Sequence, residues 1–430
     1  MDEKKSGYLF LVIVIAVCMV LGVYKFSPFK IPFKRTVVTI SQYWQEEANQ
    51  QFLLPLIEKF HRENPEIEIR LSDDSFYNLE KEFKNAAQQQ GKKVLPDIIS
   101  VDQRWLSFLT QASLLEPLDG YFQKAGITEN STIIEEEKEK WTVPLVSFFY
   151  VLYYNISLLE KAGIDRPPKT QEEFLAYCRT LASGRNPQSS GIFCMALSPE
   201  NPHDMEGELF SWIWASGFNP DLQNEEPFSS RSFIQAMGFI NRLAQEKLLI
   251  PESMNYNESD KLESFINGRS AMMLASFSKI KNIKKQAEDL SFDISTVPYP
   301  ASYTGKPVLS MHAWQAGISK SSKHKDEAWR FLSFLMEKSQ NLDIALDVYG
   351  IPSNRNAIPE LKKQDPFYEK ALAILEAGEG NNGLDRFPVP IALENILRDE
   401  TGSMLKGETN PEKAGRTIQE KWDEALSTIH

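Results

Sequence analysis

The sequence predicts an α/β fold divided between two lobes. Three observations carry this. The first hundred residues after the N-terminus alternate strand, helix, strand, helix, strand, which builds a mostly parallel sheet covered by helices. The chain has 430 residues, more than one simple core accommodates. Prolines at Pro144, Pro298, Pro300 and Pro352 punctuate extended segments between elements, as expected where chain crosses from one lobe to another; loops alone would place prolines there equally well.

The elements follow in order. Residues 27–35, SPFKIPFKR, form a short linker, and VVTISQYW reads as the first strand. QEEANQQFLLPLIEKFHREN is a helix with Leu53, Leu56, Ile57 and Phe60 at helical spacing. IEIRLSDD is the second strand, LEKEFKNAAQQQG a helix ended by Gly91, and LPDIISVDQ the third strand with its exit loop. WLSFLTQASL is a short helix. TVPLVSFFYVLYYN is extended, and ISLLEKAG is a helix closed by Gly163. IDRPPKTQEEFLAYCRTLA gives a turn and a helix started at Thr170 with Glu172 and Glu173 in its first turn.

GIFCMAL reads as a short strand, ELFSWIWASG as an aromatic helix, and SFIQAMGFINRLAQEKLL as a longer helix. SDKLESFINGRSAMMLASFSKIKNI holds helix, turn, strand and the start of another helix. FDISTVPYP is extended, WQAGISK is a strand, and HKDEAWRFLSFLMEKSQNLDIAL is one amphipathic helix. YGIPSNRNAIP is turn-rich, and helices follow near 366–377, 390–400 and 411–427.

The N-terminus has a different character. Gly7 to Phe26, GYLFLVIVIAVCMVLGVYKF, is nearly continuous apolar sequence able to span a bilayer, so it is a signal or transmembrane helix. No small-x-small exit favours cleavage, and an uncleaved anchor is the expected form. Lipidation at Cys18 is the alternative, although Ile15, Ala16 and Val17 are a poor approach to a lipid-attachment cysteine. Lys25, Lys30, Lys34 and Arg35 follow the apolar run, and counted strictly they would hold the rest of the chain in the cytoplasm.

Composition narrows the function. Net charge is −12, which disfavours a broad nucleic-acid footprint. Cysteines number three: Cys18, Cys178 and Cys194. Cys178 and Cys194 could pair outside the cell, but two buried free thiols are the expected state. Three cysteines and five histidines give no zinc-site spacing, so no metal or other cofactor is expected. No GxSxG, GxxxxGK[ST], HExxH or EF-hand pattern occurs. A carboxylate pair for glycoside hydrolysis could be drawn from Asp74, Asp97 and Asp102, although an Asp at a strand exit more often caps the next helix.

Aromatic residues recur at strand ends. Trp44 follows the first strand, Trp105 the third, and Trp314 opens a late one. Trp212 and Trp214 are two apart and share no helix face, so one should pack and the other be exposed. In open α/β sheets ligands sit beyond the carboxyl ends of strands, where Trp44, Asp74 and Asp102 fall. Flat rings beside carboxylates and amides suit a pyranose, with apolar faces and a hydroxyl rim. Each Trp taken alone is as readily explained by the core.

PLVSFFYVLYYNISLLEKAGIDRPPKTQEEFLAYCRTLA resembles a stretch of the extracellular solute-binding proteins of carbohydrate ABC transporters. The matching features are Pro144, Tyr153-Tyr154-Asn155, Lys161-Ala162-Gly163, Pro168-Lys169-Thr170 and Glu173-Phe174. LPDIISVDQ, FINGRSAMMLASFSKI, WQAGISKSSKHKDEAWRFLSFLM, YGIPSNRNA and TNPEKAGRTIQEKWDEAL are similar to further family segments in the right order, over about residues 36 to 430.

The resemblance implies a periplasmic-binding-protein-like fold with an interlobe ligand cleft. Lobe 1 would comprise 36–145 plus about 298–350, and lobe 2 about 146–297 plus 351–430, after the anchor and linker at 1–35. It implies a non-catalytic, monomeric receptor outside the cytoplasm that hands a sugar or related polar solute to ABC permease subunits; the plain membrane anchor read from the N-terminus departs from most relatives, which are released or lipid-anchored. The positions matching Trp44, Asp102, Trp214, Ser276, Trp314 and Arg355 would line the cleft. Trp44 and Trp314 would stack on rings, Asp102 would accept from hydroxyls, Ser276 would bond a hydroxyl, and Arg355 would donate or lock the closed form. Gln42, Asp74, Trp105 and Trp212 complete the candidate set. Met311, His312 and Ala313 depart from the glycines many relatives carry before Trp314, which alters the cleft wall. A solute sensor without a transport role and an anchored polysaccharide hydrolase are the competing classes.

Overall fold

The computed structural model describes residues 35–44, 52–89, 94–127, 140–183, 191–200, 202–218, 226–381, 387 and 390–427. The expected N-terminal apolar helix, Cys18 and the helix stop at Gly91 lie outside these residues. Among the described residues, no helix is long and apolar enough to cross a membrane.

Strands β1 (Thr36–Gln42), β2 (Ile67–Asp73) and β3 (Ile98–Val101) pair in parallel, with β1 in the centre. Helix α1 (Leu53–Glu63) connects β1 to β2 and buries the expected Leu53, Leu56, Ile57 and Phe60. Helix α2 (Phe76–Gln88) connects β2 to β3, with Ser75 as its N-cap. Helices α3 (Gln103–Gln111) and α4 (Asp119–Ala125) follow. Past β3 the sheet is mixed: β7 (Val308–Ile318) runs antiparallel to β3, and β4 (Val143–Asn155) antiparallel to β7, while the short strand at Glu379–Asn381 pairs parallel with β7.

β4 is the strand on which the architecture turns. Its first half, Val143 to Phe149, pairs with β7. From Tyr150 to Tyr154 it pairs with β5 (Met272–Ser276), and from Leu152 to Asn155 with β6 (Phe292–Ser295). VPLVSFFYVLYYN is buried along almost its whole length, so the run is continuously apolar rather than alternating. A register shift between Pro144 and Val146 absorbs the proline, which has no N–H to give the ladder.

Between β4 and β5 lie α5 (Ile156–Lys161), α6 (Gln171–Ser183), α7 (Pro202–Ala215), α8 (Arg231–Gln245) and α9 (Glu258–Ile266). α10 (Lys279–Gln286) joins β5 to β6. After β7 come α11 (Lys325–Met336), α12 (Lys338–Val348), β8 (Ile351–Pro352), α13 (Ile358–Leu361), α14 (Pro366–Ala377), β9 (Glu379–Asn381), α15 (Pro390–Leu405) and α16 (Pro411–Ser427).

Two apolar cores result. One gathers β1–β3, α1–α3, the first half of β4 with Val151 and Tyr153 of its second half, β7, α11 and α12, and also Leu262 and Phe265 of α9, Met273 and Ala275 of β5, α10, β6 and α14. The other gathers Tyr150 and Leu152 of β4 with α6, α7, α8, α15 and α16. The molecule is a two-lobed α/β structure in which the second half of β4 lies between the cores, turning Val151 and Tyr153 to the first and Tyr150 and Leu152 to the second.

Three local expectations are corrected. GIFCMAL is not a strand; it makes only isolated bridges, Phe193 to Ser270 and Met195 to Leu249. The helix expected over 324–346 is two helices, broken at Glu337, whose backbone is extended. Cys178 and Cys194, expected as free thiols, form a disulfide, with Cα atoms 4.9 Å apart and both residues fully buried. The bridges at Phe193 and Met195 anchor the segment carrying Cys194 within reach of α6.

Candidate functional site

The parallel strands deliver their carboxyl ends to one place. β1 ends at Gln42 and is followed by Tyr43 and Trp44; β3 ends at Val101 and is followed by Asp102. β7 passes β3 in the opposite direction with Val101 facing Gln315, so Trp314 lies just beyond the carboxyl end of β3. Trp44 and Trp314 stack there, centroids 5.6 Å apart and planes 15° off parallel. Both are 2% exposed.

The stack continues across the shared strands. Trp314 meets Phe148 of β4 edge-on at 5.2 Å, Phe148 stacks on His312 at 5.1 Å, and His312 reaches Tyr150 at 6.2 Å. The Tyr150 ring lies against α7 at Gly207, where an added Cβ would fall 2.1 Å from the ring. A side chain at that position would force the Tyr150 ring to shift. The aromatic row thus begins with Trp44 and Trp314 of the first core and finishes at Tyr150 of β4, which belongs to the second core and lies against α7.

Asp102 is the N-cap of α3 and accepts from the backbone N–H of Arg104 at 3.0 Å. Its carboxylate also receives the Arg104 fork, Nε to Oδ1 at 2.7 Å and Nη2 to Oδ2 at 3.1 Å. Arg104 Nη1 reaches Glu206 of α7 at 3.2 Å and Glu394 of α15 at 3.0 Å. The guanidinium carbon sits 4.8 Å from the Phe76 ring centroid. Burial alone would lower the Arg104 pKa, but Asp102, Glu206 and Glu394 outweigh it and hold it well above the ordinary value. Met205, Glu206, Leu209, Phe210, Glu394, Leu397 and Arg398 line a small hollow beside this cluster.

The remaining candidates are distributed as follows. Gln42 is buried at the end of β1. Asp74 accepts from the Ser75 N–H and the Asn78 amide at the start of α2, a capping arrangement. Trp105 is fully buried among Tyr43, Phe76 and Phe83. Trp212 packs on Phe174 and Phe239, and Trp214 stacks on Phe218. The expectation that one of these last two is exposed fails: they are 1% and 0% exposed, because α7 is enclosed by apolar partners on both sides. Ser276 lies opposite Tyr150 in the β4–β5 ladder, and its hydroxyl accepts from Ser278 at 3.0 Å. Arg355 is exposed at the start of a short 3-10 turn whose cap is Asn354.

The carboxylates suggested for hydrolysis are split. Asp97 precedes β3 while Asp102 follows it, so the two sit at opposite ends of one strand. Asp97 is occupied by the Thr39 hydroxyl at 2.8 Å and the Ser322 hydroxyl at 2.6 Å.

Sequence reasoning missed Arg104, Glu206, Glu394, Phe148 and Tyr150. Arg104 lies two residues after Asp102 and directly before Trp105, the local signal that marks it. Its partners lie 102 and 290 residues away, and no sequence signal connects them.

Residues 39–341 match the family profile described as bacterial extracellular solute-binding protein. A putative binding protein of Brucella abortus (strain 2308) is 24% identical over 267 residues, 60% of this chain; the match spans 62% of that relative's length. The sn-glycerol-3-phosphate-binding periplasmic protein UgpB of Escherichia coli (strain K12) is 24% identical over 417 residues, covering 86% of this chain and 88% of the relative.

Among solved structures, the GacH receptor of Streptomyces glaucescens GLA.O superposes with a TM-score of 0.74 at 18% identity, covering 91% of this chain and 99% of that one. UgpB from Mycobacterium tuberculosis in complex with glycerophosphocholine gives 0.75 at 16% identity, covering 91% and 98%. At these identities the likeness establishes the two-lobed periplasmic-binding-protein fold. With most of its length under one family profile, the chain belongs to the bacterial extracellular solute-binding proteins.

Proposed function

We propose that this protein is the extracytoplasmic substrate-binding subunit of an ABC importer, capturing a sugar or related polyhydroxylated solute between its lobes and delivering it to permease subunits. The observation that carries the reading is the aromatic row from Trp44 and Trp314 to Tyr150, lying beside the polar Arg104 cluster and passing from one core to the other. Rings supply faces for the C–H surface of a pyranose, and carboxylates supply acceptors for its hydroxyls. The family match and the carbohydrate- and polyol-phosphate-binding relatives support the same class.

In this reading Trp44 and Trp314, which cover one another in this structure, part to take a sugar ring as the stacking residues, with Gln42 and Asp102 beside them. Asp102 acts through the fork it shares with Arg104. Lobe 1 is 36–145 plus about 298–350, and lobe 2 about 146–297 plus 351–430; the change of β4 partner after Phe149 supports a crossing within that strand. The Cys178–Cys194 disulfide fits an oxidising compartment, and residues 7–26 serve as the tether that keeps the receptor near its permease.

The test is a thermal-shift panel of mono- and oligosaccharides and polyols on the full chain, followed by calorimetry on each hit. Binding to the native state raises its apparent stability. A saturable shift with unaltered solute recovered afterwards is expected. Cleavage of the solute, or no shift with any saccharide or polyol, would overturn the assignment.

A further inference from the structure

We propose that Arg104 is an interlobe clasp, a positioning residue that holds the lobe of β1–β3 against the lobe of α7 and α15 by gripping Glu206 and Glu394.

Arg104 is anchored in the first lobe. It is the second residue of α3, whose Trp105, Leu106 and Leu109 belong to the first core. Asp102 takes both Nε and Nη2, and Phe76 lies under the guanidinium. This fixes the plane of the fork and directs Nη1 outward from its own lobe. Nη1 there meets Glu206 and Glu394. Those two carboxylates belong to the second lobe: Glu206 sits between Met205 and Leu209, and Glu394 between Leu393 and Leu397, all members of the second core.

An ordinary buried ion pair ties elements within one core. This one ties two, and Arg104 is 4% exposed, so water does not weaken the contact. The arrangement also makes separation feasible. Breaking a buried pair is severe when it strands an unpaired charge. Here Arg104 keeps its two bonds to Asp102 when the lobes part, while Glu206 and Glu394 pass into solvent and are hydrated. The clasp therefore has two acceptable states, which is what a hinged closure needs. Charge-assisted bonds on one side and hydration on the other set the balance between them.

The experiment measures lobe separation and needs no identified solute. The full chain with Cys18→Ser carries spin labels at Lys81→Cys on α2 and Lys413→Cys on α16, both exposed positions. Double electron–electron resonance compares this protein with Arg104→Met, with Glu206→Gln/Glu394→Gln, and with the three changes together. Each of the first two is expected to lengthen the label distance and lower the closed-to-open ratio about tenfold, the loss of roughly two charge-assisted bonds. The triple variant should add little, because all three act through one contact. Arg104→Lys, which keeps the charge and loses the fork, should fall between. Folding is checked by far-UV circular dichroism. If Arg104→Met fails to fold, the double glutamine variant, which leaves Arg104 on Asp102, decides the matter. Unchanged distances in folded variants, or additive effects in the triple variant, overturn the proposal.

Discussion

Glu208→Gln tests how α7 tolerates a charge inside its lobe. Glu208 is 3% exposed, and its Oε2 accepts from Lys261 Nζ at 3.2 Å. Its Oε1 is buried with no hydrogen-bond partner among the described residues. Burial pushes the carboxyl up from an ordinary value of 4.5 to about 7, against the attraction of Lys261. A folded pKa above the unfolded one means that the native chain holds this proton more tightly. The contribution to stability is complete below about 4.5 and is lost as pH rises through about 7. The gap between the two values corresponds to about 3 kcal/mol. Glutamine has no proton to lose at that site. The stability of Glu208→Gln relative to the parent should therefore rise by about 3 kcal/mol between roughly pH 4 and pH 8.5. Glu258, which shares Lys261, behaves in the opposite sense. Burial would raise it, but Lys261 and Lys279 hold it down to about 2, so its contribution is lost only as pH falls from 4.5 towards that value. Its titration lies largely below the test window. Urea denaturation of both proteins across the window at fixed ionic strength gives the difference directly. A difference flat to within about 0.5 kcal/mol would show that Glu208 titrates normally and that its burial costs nothing.

Three further outcomes are expected. Trp44→Ala removes the ring stacked on Trp314 and should weaken binding of any saccharide hit by about 1–3 kcal/mol; calorimetry with unchanged affinity would reject its role as a stacking residue. Cys178→Ala/Cys194→Ala opens a loop of sequence separation 16 and should cost about 3 kcal/mol in denaturant, with reduction of the parent giving a similar loss and equal stability refuting the cross-link. Asn341→Leu should cost at least about 1–3 kcal/mol, because the buried amide donates to the Leu145 carbonyl at 2.7 Å and accepts from the Asn354 N–H at 2.8 Å, joining β4 to the turn that carries Arg355; a neutral effect on chemical denaturation would refute this.

Much of the chain was legible because its signals are local. Leu53, Leu56, Ile57 and Phe60 repeat at helical spacing and are buried together on α1. Asp102 at a strand exit was readable as a cap, and it is one. Trp44 and Trp314 are candidates because each is expected at a strand terminus; Trp314 instead lies inside β7, which begins at Val308, yet the two rings meet. The failures are equally specific. The Tyr150 ring occupies the space a side chain at Gly207 would take, a contact between residues 57 apart that neither announces in the sequence. Trp212 and Trp214 point in different directions on α7, and both find apolar partners because aromatic residues cover the helix from α6, α8 and the segment after it. GIFCMAL has strand composition but finds only isolated bridging partners.

By itself the sequence determined the periodic elements, the β-α-β-α-β opening, the apolar N-terminal segment and the family, since backbone propensity, side-chain period and ordered motifs are properties of neighbours along the chain. The tertiary structure alone decided that β4 is shared between two cores, that Cys178 meets Cys194, and that Arg104 lies between Glu206 and Glu394. Those facts depend on which distant surfaces face each other once apolar area is buried. Burial then sets the strength of every charge that the sequence could only count.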